Sequence, residues 1–276
     1  MSDSELLREN ERIDDLEVNG FRIIQNPFYF CFGMDSVLLS NFASIKKGAD
    51  VIDLGTGTGI IPLLLAAKSK GRSWTGIELQ ESIAEMAVRS TILNHIEDPV
   101  SSGKLMDDKL QPDDKKRLIS SRLEEGRCRI VAADVRRIRE LYEPASFGAV
   151  TSNPPYMKEN SGIKNPSDTR YISRHEAFLS LEDVISQASY LLKTRGTFTM
   201  VHRPSRLPEI MELMRKYRLE PKRMRLVQPY IDKEPNMVLI EGIKEAGSEL
   251  KTLPSLIVYN SDGSYTDELL SIYGKK

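Results

Sequence analysis

The chain has 276 residues, of which 40% are hydrophobic and 29% are charged, and its formal net charge is −1. These values indicate a globular protein with one large domain and short additions. No apolar run approaches the ~20 residues of a membrane-spanning helix, and the acidic first residues do not resemble a signal peptide, so we expect a cytoplasmic protein without a membrane partner. Cys31 and Cys128 lie far apart in sequence, which indicates neither a disulfide framework nor a metal site.

The charge is unevenly distributed along the chain. Residues 1–20 carry seven acidic side chains and two arginines, whereas residues 193–225 carry ten Lys and Arg and three Glu. A basic segment in a nearly neutral protein points to a polyanionic partner such as nucleic acid. A solvated helix face would produce the same pattern, so this observation leaves both interpretations open.

The N-terminal part predicts a small β-hairpin and a helix. Apolar residues flank Asn19-Gly20, a dipeptide that strongly favours a two-residue hairpin turn. Residues 34–43 then place Val37, Leu38 and Phe42 on one helical face. We expect residues 1–45 to form an extension that packs on the core.

From residue 46 onward, strand and helix patterns alternate, which predicts a parallel sheet with helices on both faces. The last two predicted strands are joined by a short connection and should pair antiparallel. The expected fold is α/β, a Rossmann-like, doubly wound, seven-stranded, mostly parallel sheet with an antiparallel last strand, over residues 46–245. Residues 246–276 should form a tail with a strand and a helix. The predicted strands are 50–54, 73–77, 129–132, 147–151, 196–201, 223–228 and 237–242, and the predicted helices are 60–68, 82–95, 181–192 and 205–217.

Two polar stretches interrupt the alternation. Residues 97–126 are rich in charge and exceed the length that a connection needs here, which predicts an exposed insertion. Residues 157–175 form a second long polar loop that carries several basic side chains. Loops of that length beside a ligand crevice often cover a substrate.

A glycine loop follows the first predicted strand of the sheet. The glycines fall at positions 55, 57 and 59, and Asp53 precedes the first of them by two positions. This spacing differs from the Gly-x-Gly-x-x-Gly pattern of dinucleotide sites. A carboxylate there would repel a pyrophosphate and attract a cationic amine or sulfonium, so the sequence argues against NAD.

Acidic side chains also follow the next two strands. Glu78 lies 25 positions after Asp53, near the spacing at which an acid accepts hydrogen bonds from ribose hydroxyls. Asp134 follows the third strand and could accept a hydrogen bond from an adenine amine. Each acid alone is also compatible with a capping or loop carboxylate. Their recurrence at successive strand ends favours a ligand crevice.

The most specific motif is Asn153-Pro154-Pro155-Tyr156, which follows an apolar strand. The prolines cannot continue a hydrogen-bonded ladder and fix the backbone, while the ring of Tyr156 offers a stacking face. An ordinary proline-rich turn is the alternative. The four residues together could hold a flat group that carries a nitrogen.

These motifs resemble the class I S-adenosylmethionine-dependent methyltransferases over roughly residues 33–242. Residues 53–59 look like the first motif of that class, and Asn153-Pro154-Pro155-Tyr156 looks like the signature of its amino methyltransferases. Within these, the match is closest to the bacterial tRNA1(Val) adenine-37 N6-methyltransferase family, with support from residues 32–39, 174–176 and 203–207. The insertion is longer than the family's usual connection, and residues 193–196 contain one glycine where the family has two.

The resemblance implies that S-adenosylmethionine is the cofactor and that tRNA is the substrate, with methyl transfer to the N6 amine of adenine. It implies a set of catalytic residues: Asn153, Pro154, Pro155 and Tyr156. It implies a set of cofactor-binding residues: Asp35, Ser36, Asp53, Gly55, Thr56, Gly57, Gly59, Glu78, Leu79, Asp134, Val135 and Asn153. The basic side chains suggested as substrate contacts are Lys158, Arg170, Arg174, Arg203, Arg206, Arg223 and Arg225.

Enzymes that methylate other nitrogen acceptors carry the same Asn-Pro-Pro-Tyr turn. Those acceptors include guanine N2 in rRNA and the glutamine amide of a release factor, although enzymes of the latter kind usually carry a separate helical N-terminal domain. A methyltransferase-like binding subunit without activity is disfavoured by the intact glycines, acids and Asn153. A DNA methyltransferase is disfavoured because no sizeable target-recognition domain is present. We expect a monomer.

Overall fold

The computed structural model describes residues 3–29, 31–98, 113, 117–119, 121–154 and 179–275. An eight-stranded sheet lies at the centre of this structure, and a two-stranded hairpin precedes it. The strands are β1 Arg12–Asp15, β2 Arg22–Gln25, β3 Asp50–Leu54, β4 Ser73–Glu78, β5 Cys128–Ala132, β6 Phe147–Ser152, β7 Leu192–His202, β8 Leu219–Gln228, β9 Met237–Lys244 and β10 Lys251–Ile257. The α-helices are α1 Met34–Phe42, α2 Ile60–Ala67, α3 Glu81–Leu93, α4 Leu181–Leu191, α5 Leu207–Lys216 and α6 Asp267–Ile272.

The strands of the sheet are ordered β10-β8-β9-β7-β6-β3-β4-β5. Only β9 runs antiparallel to its neighbours, β7 and β8, and all other pairs in this sheet are parallel. The chain passes from β3 outward through β4 to β5 and then returns to the other side of β3 to form β6. The order of the strands therefore reverses between β3 and β6, which is where open α/β sheets hold their ligands.

Apolar side chains fill both sides of the sheet. One cluster contains side chains of α1, α2, α3 and α6, such as Leu39, Leu64 and Leu269. The other contains those of α4 and α5, such as Val184 and Met214, together with the short 3-10 helix that begins at Val135. Because both faces are covered, the central parallel strands β3, β4 and β6 are almost entirely buried, as expected for this architecture.

The N-terminal hairpin packs against α3. Asn19 and Gly20 both have positive φ values, 50° and 73°, and Phe21 N donates to the Val18 carbonyl, so the turn has the conformation that the Asn-Gly pair predicts. Ile24 N donates to Ser90 Oγ at 3.0 Å, and the Arg89 guanidinium in α3 pairs with the buried carboxylate of Glu11. These contacts bind the hairpin to the core.

The predicted fold class is confirmed, with one addition. The sheet has eight strands rather than seven, because the predicted tail strand pairs in parallel with β8 as β10. Pro254 lies in β10, and an edge strand tolerates proline because its outer side needs no N–H donor.

Most of the predicted insertion, 97–126, lies outside the described residues, and the division into an extension, a core and a tail stays a prediction. No helix in the described part of the chain has the length and apolar character needed to cross a membrane.

Candidate functional site

Four predicted site residues lie at or just beyond the ends of adjacent parallel strands. In spatial order, Asp134 follows β5, Glu78 ends β4, Asp53 lies near the end of β3, and Asn153 follows β6. The strands are in register, with Leu54 opposite Ile77 and Glu78 opposite Ala132. All four residues therefore lie at the carboxyl edge of the sheet, around its reversal point.

The glycine loop between β3 and α2 is open toward this edge. Gly55 and Gly57 have φ values of 74° and 56°, a region that favours glycine, and no atom lies within 4 Å of a Cβ placed at either one. Gly59 has φ 81°, and its Cβ position is only 3.2 Å from the Cβ of Ala87. The first two glycines thus expose backbone to open space, and the third allows α2 to pack closely against α3.

Asp53 is a buried carboxylate with an incomplete set of partners. Its side chain is 1% exposed, and Oδ1 accepts a hydrogen bond of 2.7 Å from the Thr151 hydroxyl on β6. Oδ2 has no hydrogen-bond partner among the described residues. Burial raises the pKa of Asp53 to about 6; hydrogen bonding with the Thr151 and Thr56 hydroxyls partly offsets this rise, and the nearby Glu78 adds a smaller one. A buried acceptor without a donor is expensive, so this atom is suited to a ligand that brings a cationic N–H group.

Glu78 holds the glycine loop in place. Its carboxylate is 3% exposed and accepts hydrogen bonds from Gly57 N at 3.0 Å and from Gln80 N at 2.9 Å. Each carboxylate oxygen has a second lone pair, so Glu78 retains capacity for a hydroxyl donor. The next residue, Leu79, is 41% exposed.

Asp134 has the capping role that its sequence also allowed. Its side chain accepts from Arg136 N at 2.9 Å at the start of a 3-10 helix, and it pairs with the Arg136 guanidinium. The hydrogen bond from that guanidinium lowers the pKa of Asp134. Val135 is buried in the core, so only its backbone could contribute to the edge. An adenine amine at Asp134 would have to share the carboxylate with Arg136.

Asn153 is attached to the first turn of α1. Its Nδ2 donates to Ser36 Oγ at 3.2 Å, and Ser36 is 2% exposed. Ser36 N in turn donates to Asp35 Oδ1 at 2.9 Å. The structure thus brings Asp35 and Ser36 to the edge at which Asn153 lies, and Pro154 is buried beside it. Pro155, Tyr156, Lys158, Arg170 and Arg174 lie outside the described residues.

The remaining basic residues differ in their surroundings. Arg203 is exposed and follows the end of β7, which is the neighbour of β6. Arg206 pairs with Glu209, and Arg225 pairs with Glu268 and donates to the Pro254 carbonyl. Arg223 pairs with the buried Glu241 and lies over the ring of Phe42, 4.6 Å from its centroid. Three of these four arginines are therefore engaged in contacts within the protein.

Sequence reasoning did not identify two residues that shape the site. Thr151 donates to Asp53, and a polar residue at the end of an otherwise apolar strand was the available signal. Gly76 on β4 lies under the glycine loop, where a Cβ would stand 2.7 Å from Thr56 Cγ2. No spacing rule points to Gly76, because the contact joins a strand to a loop that precedes it by about twenty residues in sequence.

His202 is a neutral, buried side chain at the end of β7. Burial, with a smaller effect of Arg206, lowers the pKa of His202 to about 4, so its imidazole is neutral at physiological pH. Among the described residues, no group of three or more His, Cys, Asp or Glu side chains could hold a metal ion.

Comparison with characterised sequences places this geometry in context. No family model matches the chain. A tRNA1(Val) (adenine(37)-N6)-methyltransferase from Porphyromonas gingivalis is 28% identical over 261 residues, which cover 91% of this chain and 90% of that protein. One from Bacteroides fragilis is 26% identical over 242 residues and 87% of each chain. Along most of its length, the chain is similar to tRNA1(Val) adenine-37 N6-methyltransferases. The resemblance expected from the motifs is confirmed.

Solved structures with a similar fold are methyltransferases. A predicted O-methyltransferase from Agrobacterium tumefaciens superposes with a TM-score of 0.62 at 21% identity, covering 88% of this chain and 96% of that one. The 16S rRNA N2 G1207 methyltransferase of T. thermophilus, in complex with AdoMet and guanosine, gives a TM-score of 0.53 at 16% identity, covering 86% of this chain and 52% of that one. The fold is therefore that of the Rossmann-like methyltransferases.

Proposed function

We propose that this protein transfers a methyl group from S-adenosylmethionine to the N6 amine of an adenine in tRNA. We further propose that the adenine is A37 of tRNA1(Val), the base named for the relatives that match most of the chain. The observation that carries the proposal is the position of Asn153. Its side-chain amide follows β6, across the reversal point from Asp53 on β3. A tRNA substrate implies that the protein works in the cytoplasm.

The residues of the β3 and β4 ends fit S-adenosylmethionine. Asp53 Oδ2 is buried without a partner among the described residues, as expected for an acceptor that awaits a cationic amine. Gly55 and Gly57 leave open space beside their backbone, and Glu78 retains lone pairs for hydroxyl groups. The bound cofactor would supply a methyl group made electrophilic by a positively charged sulfur. Asp53 and Glu78 would bind and orient it.

Asn153 and Pro154 perform the chemistry on the acceptor side. The lone pair of an aromatic amine is delocalised into the ring, so the nitrogen is a weak nucleophile. The side-chain oxygen of Asn153 and the main-chain carbonyl of Pro154 would accept hydrogen bonds from the two N–H groups. These bonds stabilise the positive charge that develops on the nitrogen during attack. The amine loses its proton after it has become cationic, so a strong base is not required.

Alignment supplies much of the remaining acceleration. Well-oriented reactants gain roughly 7–11 kcal/mol over free ones. Tyr156 would hold the ring of the flipped adenine by stacking, as enzymes that modify bases commonly do. His202 is neutral and buried at the end of β7, and the proposed chemistry assigns it no step.

The test of substrate class uses radiolabelled S-adenosylmethionine and separate pools of tRNA, rRNA and release factor. We expect the label in tRNA alone, as N6-methyladenosine after digestion. Guanine N2 and a glutamine amide also present two N–H groups, so they could bind the same pair of oxygens. Label in N2-methylguanosine or in a glutamine side chain would therefore contradict the proposal. A tRNA1(Val) transcript with A37 replaced by G should lose the label, and a transcript that keeps it would exclude that position.

Asn153→Ala tests the catalytic assignment. We expect methyl transfer to fall by about a hundredfold to a thousandfold, because an acceptor is removed from the developing charge. Calorimetry should show S-adenosylmethionine binding within a few-fold of the unsubstituted protein. Turnover close to normal in this variant would show that Asn153 does not act on the amine.

A further inference from the structure

Two aromatic side chains are exposed in the turn between β2 and α1. Phe28 is 79% exposed and Tyr29 is 38% exposed. We infer that these two rings form a stacking site for a tRNA base other than the adenine that is methylated. This inference rests on the proposed function, and it adds a second contact with the same RNA.

The turn that carries the two rings is held in place by its own sequence. Residues 26–29, Asn-Pro-Phe-Tyr, form a β-turn in which Tyr29 N donates to the Asn26 carbonyl at 2.9 Å. Asn26 Oδ1 accepts a second hydrogen bond from Phe28 N at 3.0 Å. Asn at the first position and Pro at the second are residues that such turns favour. The backbone under both rings is thus ordered before RNA binds, which lowers the entropic cost of stacking.

The contacts of β2 place this turn at the edge of the sheet that carries the acceptor site. Arg22 N donates to Asn94 Oδ1 and Ile24 N donates to Ser90 Oγ, so β2 runs antiparallel to α3. Helix α3 begins directly after β4, at the carboxyl edge of the sheet, and runs away from that edge. The chain therefore follows β2 toward the carboxyl edge and reaches it near Asn26.

Helix α1 fixes the other side of the turn at the same edge. Its first turn contains Ser36, whose hydroxyl lies 3.2 Å from Asn153 Nδ2. Tyr29 precedes Ser36 by seven positions, and a fully extended chain of that length spans at most about 25 Å. An RNA loop that delivers one base to Asn153 can therefore bring another of its bases to Phe28 and Tyr29.

The two rings match what a loop needs when one of its bases is withdrawn. A base that turns into an active site loses its stacking on both neighbours, which exposes their flat faces. Proteins commonly bind such unpaired bases by stacking them on aromatic side chains, and every base offers a face for this contact. Phe28 offers a largely open ring, and Tyr29 adds a hydroxyl that can donate a hydrogen bond.

The small area of the pair argues against a protein partner or a second copy of this chain. A covered aromatic side chain buries roughly 150–250 Å². Two rings therefore provide at most about 500 Å², whereas a specific protein interface buries about 800 Å² on each partner. An area of this size fits a nucleobase.

A cation beside the turn favours RNA as the occupant. Arg12 pairs with Gln25 across the hairpin, and Gln25 is the last residue before the turn. The side chain of Arg12 is 56% exposed and pairs with Asp14 at 2.8 Å. An exposed ion pair contributes little to stability, so this guanidinium can turn to a phosphate at low cost. Arginines also hold two other carboxylates of the N-terminal segment, those of Glu11 and Asp3.

The binding test separates an aromatic ring from an apolar side chain. Phe28→Leu and Tyr29→Leu remove a ring and keep apolar bulk, whereas Phe28→Trp keeps a ring. Leu250→Ala is the control, because Leu250 is also 38% exposed and precedes β10, at the opposite edge of the sheet. In filter binding, we expect each ring-removing variant to weaken tRNA binding about fivefold or more. Phe28→Trp and Leu250→Ala should stay within twofold, and the Kd for S-adenosylmethionine should stay within twofold in all four variants.

Two results would overturn the inference. One is a tRNA affinity of Phe28→Leu equal to that of Leu250→Ala. The other is weaker S-adenosylmethionine binding in Phe28→Leu with normal tRNA affinity, which would make the ring a cofactor contact. Failure of the proposed function is a separate outcome, because the unsubstituted protein would then methylate no tRNA.

Photocrosslinking tests the stacking contact without turnover. Anticodon stem-loops of tRNA1(Val) are prepared with 5-iodouridine at one loop position at a time, leaving position 37 unchanged, and are irradiated in complex with the protein. We expect at least one position to crosslink to the peptide that contains Phe28 and Tyr29. The double variant Phe28→Leu, Tyr29→Leu should lose that crosslink. Crosslinks that map elsewhere at every position, or an equal yield in the double variant, would show that the rings do not stack on RNA.

Discussion

At the scale of one residue, the burial of the Asp53 carboxylate lowers the stability of the folded protein at neutral pH, although it suits ligand binding. Its ordinary pKa of 3.8 is raised to about 6 by burial. The folded protein therefore holds this proton more tightly than the unfolded chain. The stabilising effect of protonated Asp53 is present in full below pH 4 and is lost as the pH rises through 6, which amounts to roughly 3 kcal/mol by linkage.

Asp53→Asn should therefore make the protein more stable at pH 8 while abolishing cofactor binding. We expect the free energy of unfolding in urea to rise by about 1–2 kcal/mol at pH 8, and the gain should disappear near pH 4. Asp134→Asn is the control of opposite sign, because Arg136 lowers the pKa of Asp134, and that variant should be less stable at pH 8. A loss of stability in Asp53→Asn at pH 8 would contradict the assignment.

The carboxylates and the asparagine of the site could be anticipated, whereas their partners could not. Asp53, Glu78, Asp134 and Asn153 were predictable because each lies at or just beyond the end of a recognisable strand. Thr151 and Gly76 were not, since their roles depend on the side chain of an adjacent strand. The role of Asp134 was left open between a cap and a ligand, and the capping contact with Arg136 is present in the structure.

At the scale of the element, β4 and the glycine loop pack without spare room. A Cβ on Gly76 would lie 2.7 Å from Thr56 Cγ2 and 2.8 Å from Ile130 Cδ1. The loop would have to move away from the sheet to accommodate a methyl group. Gly76, which lies on β4 outside the glycine motif, therefore limits how the glycine loop can sit against the sheet.

Gly76→Ala should weaken S-adenosylmethionine binding at least about tenfold and lower the free energy of unfolding by about 1–3 kcal/mol, because overpacking displaces the loop. Calorimetry and urea unfolding would measure the two effects. Gly247→Ala serves as the matched control, since no atom lies within 4 Å of its Cβ position. Unchanged binding in Gly76→Ala would mean that the loop tolerates the shift.

Arg223 belongs to the support of α1. It pairs with Glu241, which is 2% exposed and also accepts from Ser44 N and Thr199 Oγ1. Its guanidinium covers Phe42, near the end of the helix. The sequence suggested a contact with RNA because a charge count cannot distinguish a paired arginine from an exposed one.

Arg223→Ala should lower the free energy of unfolding by about 2 kcal/mol, because Glu241 is left as a buried carboxylate with fewer partners. Urea unfolding measures this loss, and adding Glu241→Gln to the variant should restore part of it. Lys222→Ala, on the same strand, is the control for loss of one positive charge. A variant with normal stability and reduced RNA affinity would instead support the original interpretation.

At the scale of the whole molecule, the alternating pattern predicted the sheet almost completely. Long apolar strands and amphipathic helices carry a strong signal, and the antiparallel pairing of β8 with β9 followed from their short connection. The eighth strand of the sheet was harder to place. The sequence Lys251–Ile257 has only three aliphatic residues and contains a proline, so its pairing with β8 depends on tertiary contacts such as the hydrogen bond from Arg225 to the Pro254 carbonyl.

The position of surface charge on the whole molecule should also affect tRNA binding. Arg203 is exposed beside the proposed acceptor site, whereas Arg215 lies in the last turn of α5, at the opposite edge of the sheet. Arg203→Ala should weaken tRNA binding several-fold and reduce the slope of log affinity against log salt by about one. Arg215→Ala should change neither quantity. Equal effects of the two variants in a filter-binding titration would show that charge acts without regard to position.

The position of β9 between β7 and β8 has a consequence for the order in which a newly made chain can assemble. Every described residue of the proposed site, from Asp35 to Pro154, leaves the ribosome before β8 does, yet β8 joins the sheet only through β9. Glu241, which supports the end of α1, is among the later residues to emerge. During synthesis, the residues of the acceptor site can therefore come together before Glu241 supports the end of α1. We expect methyl transfer to begin only after β8 and β9 have paired with the rest of the sheet.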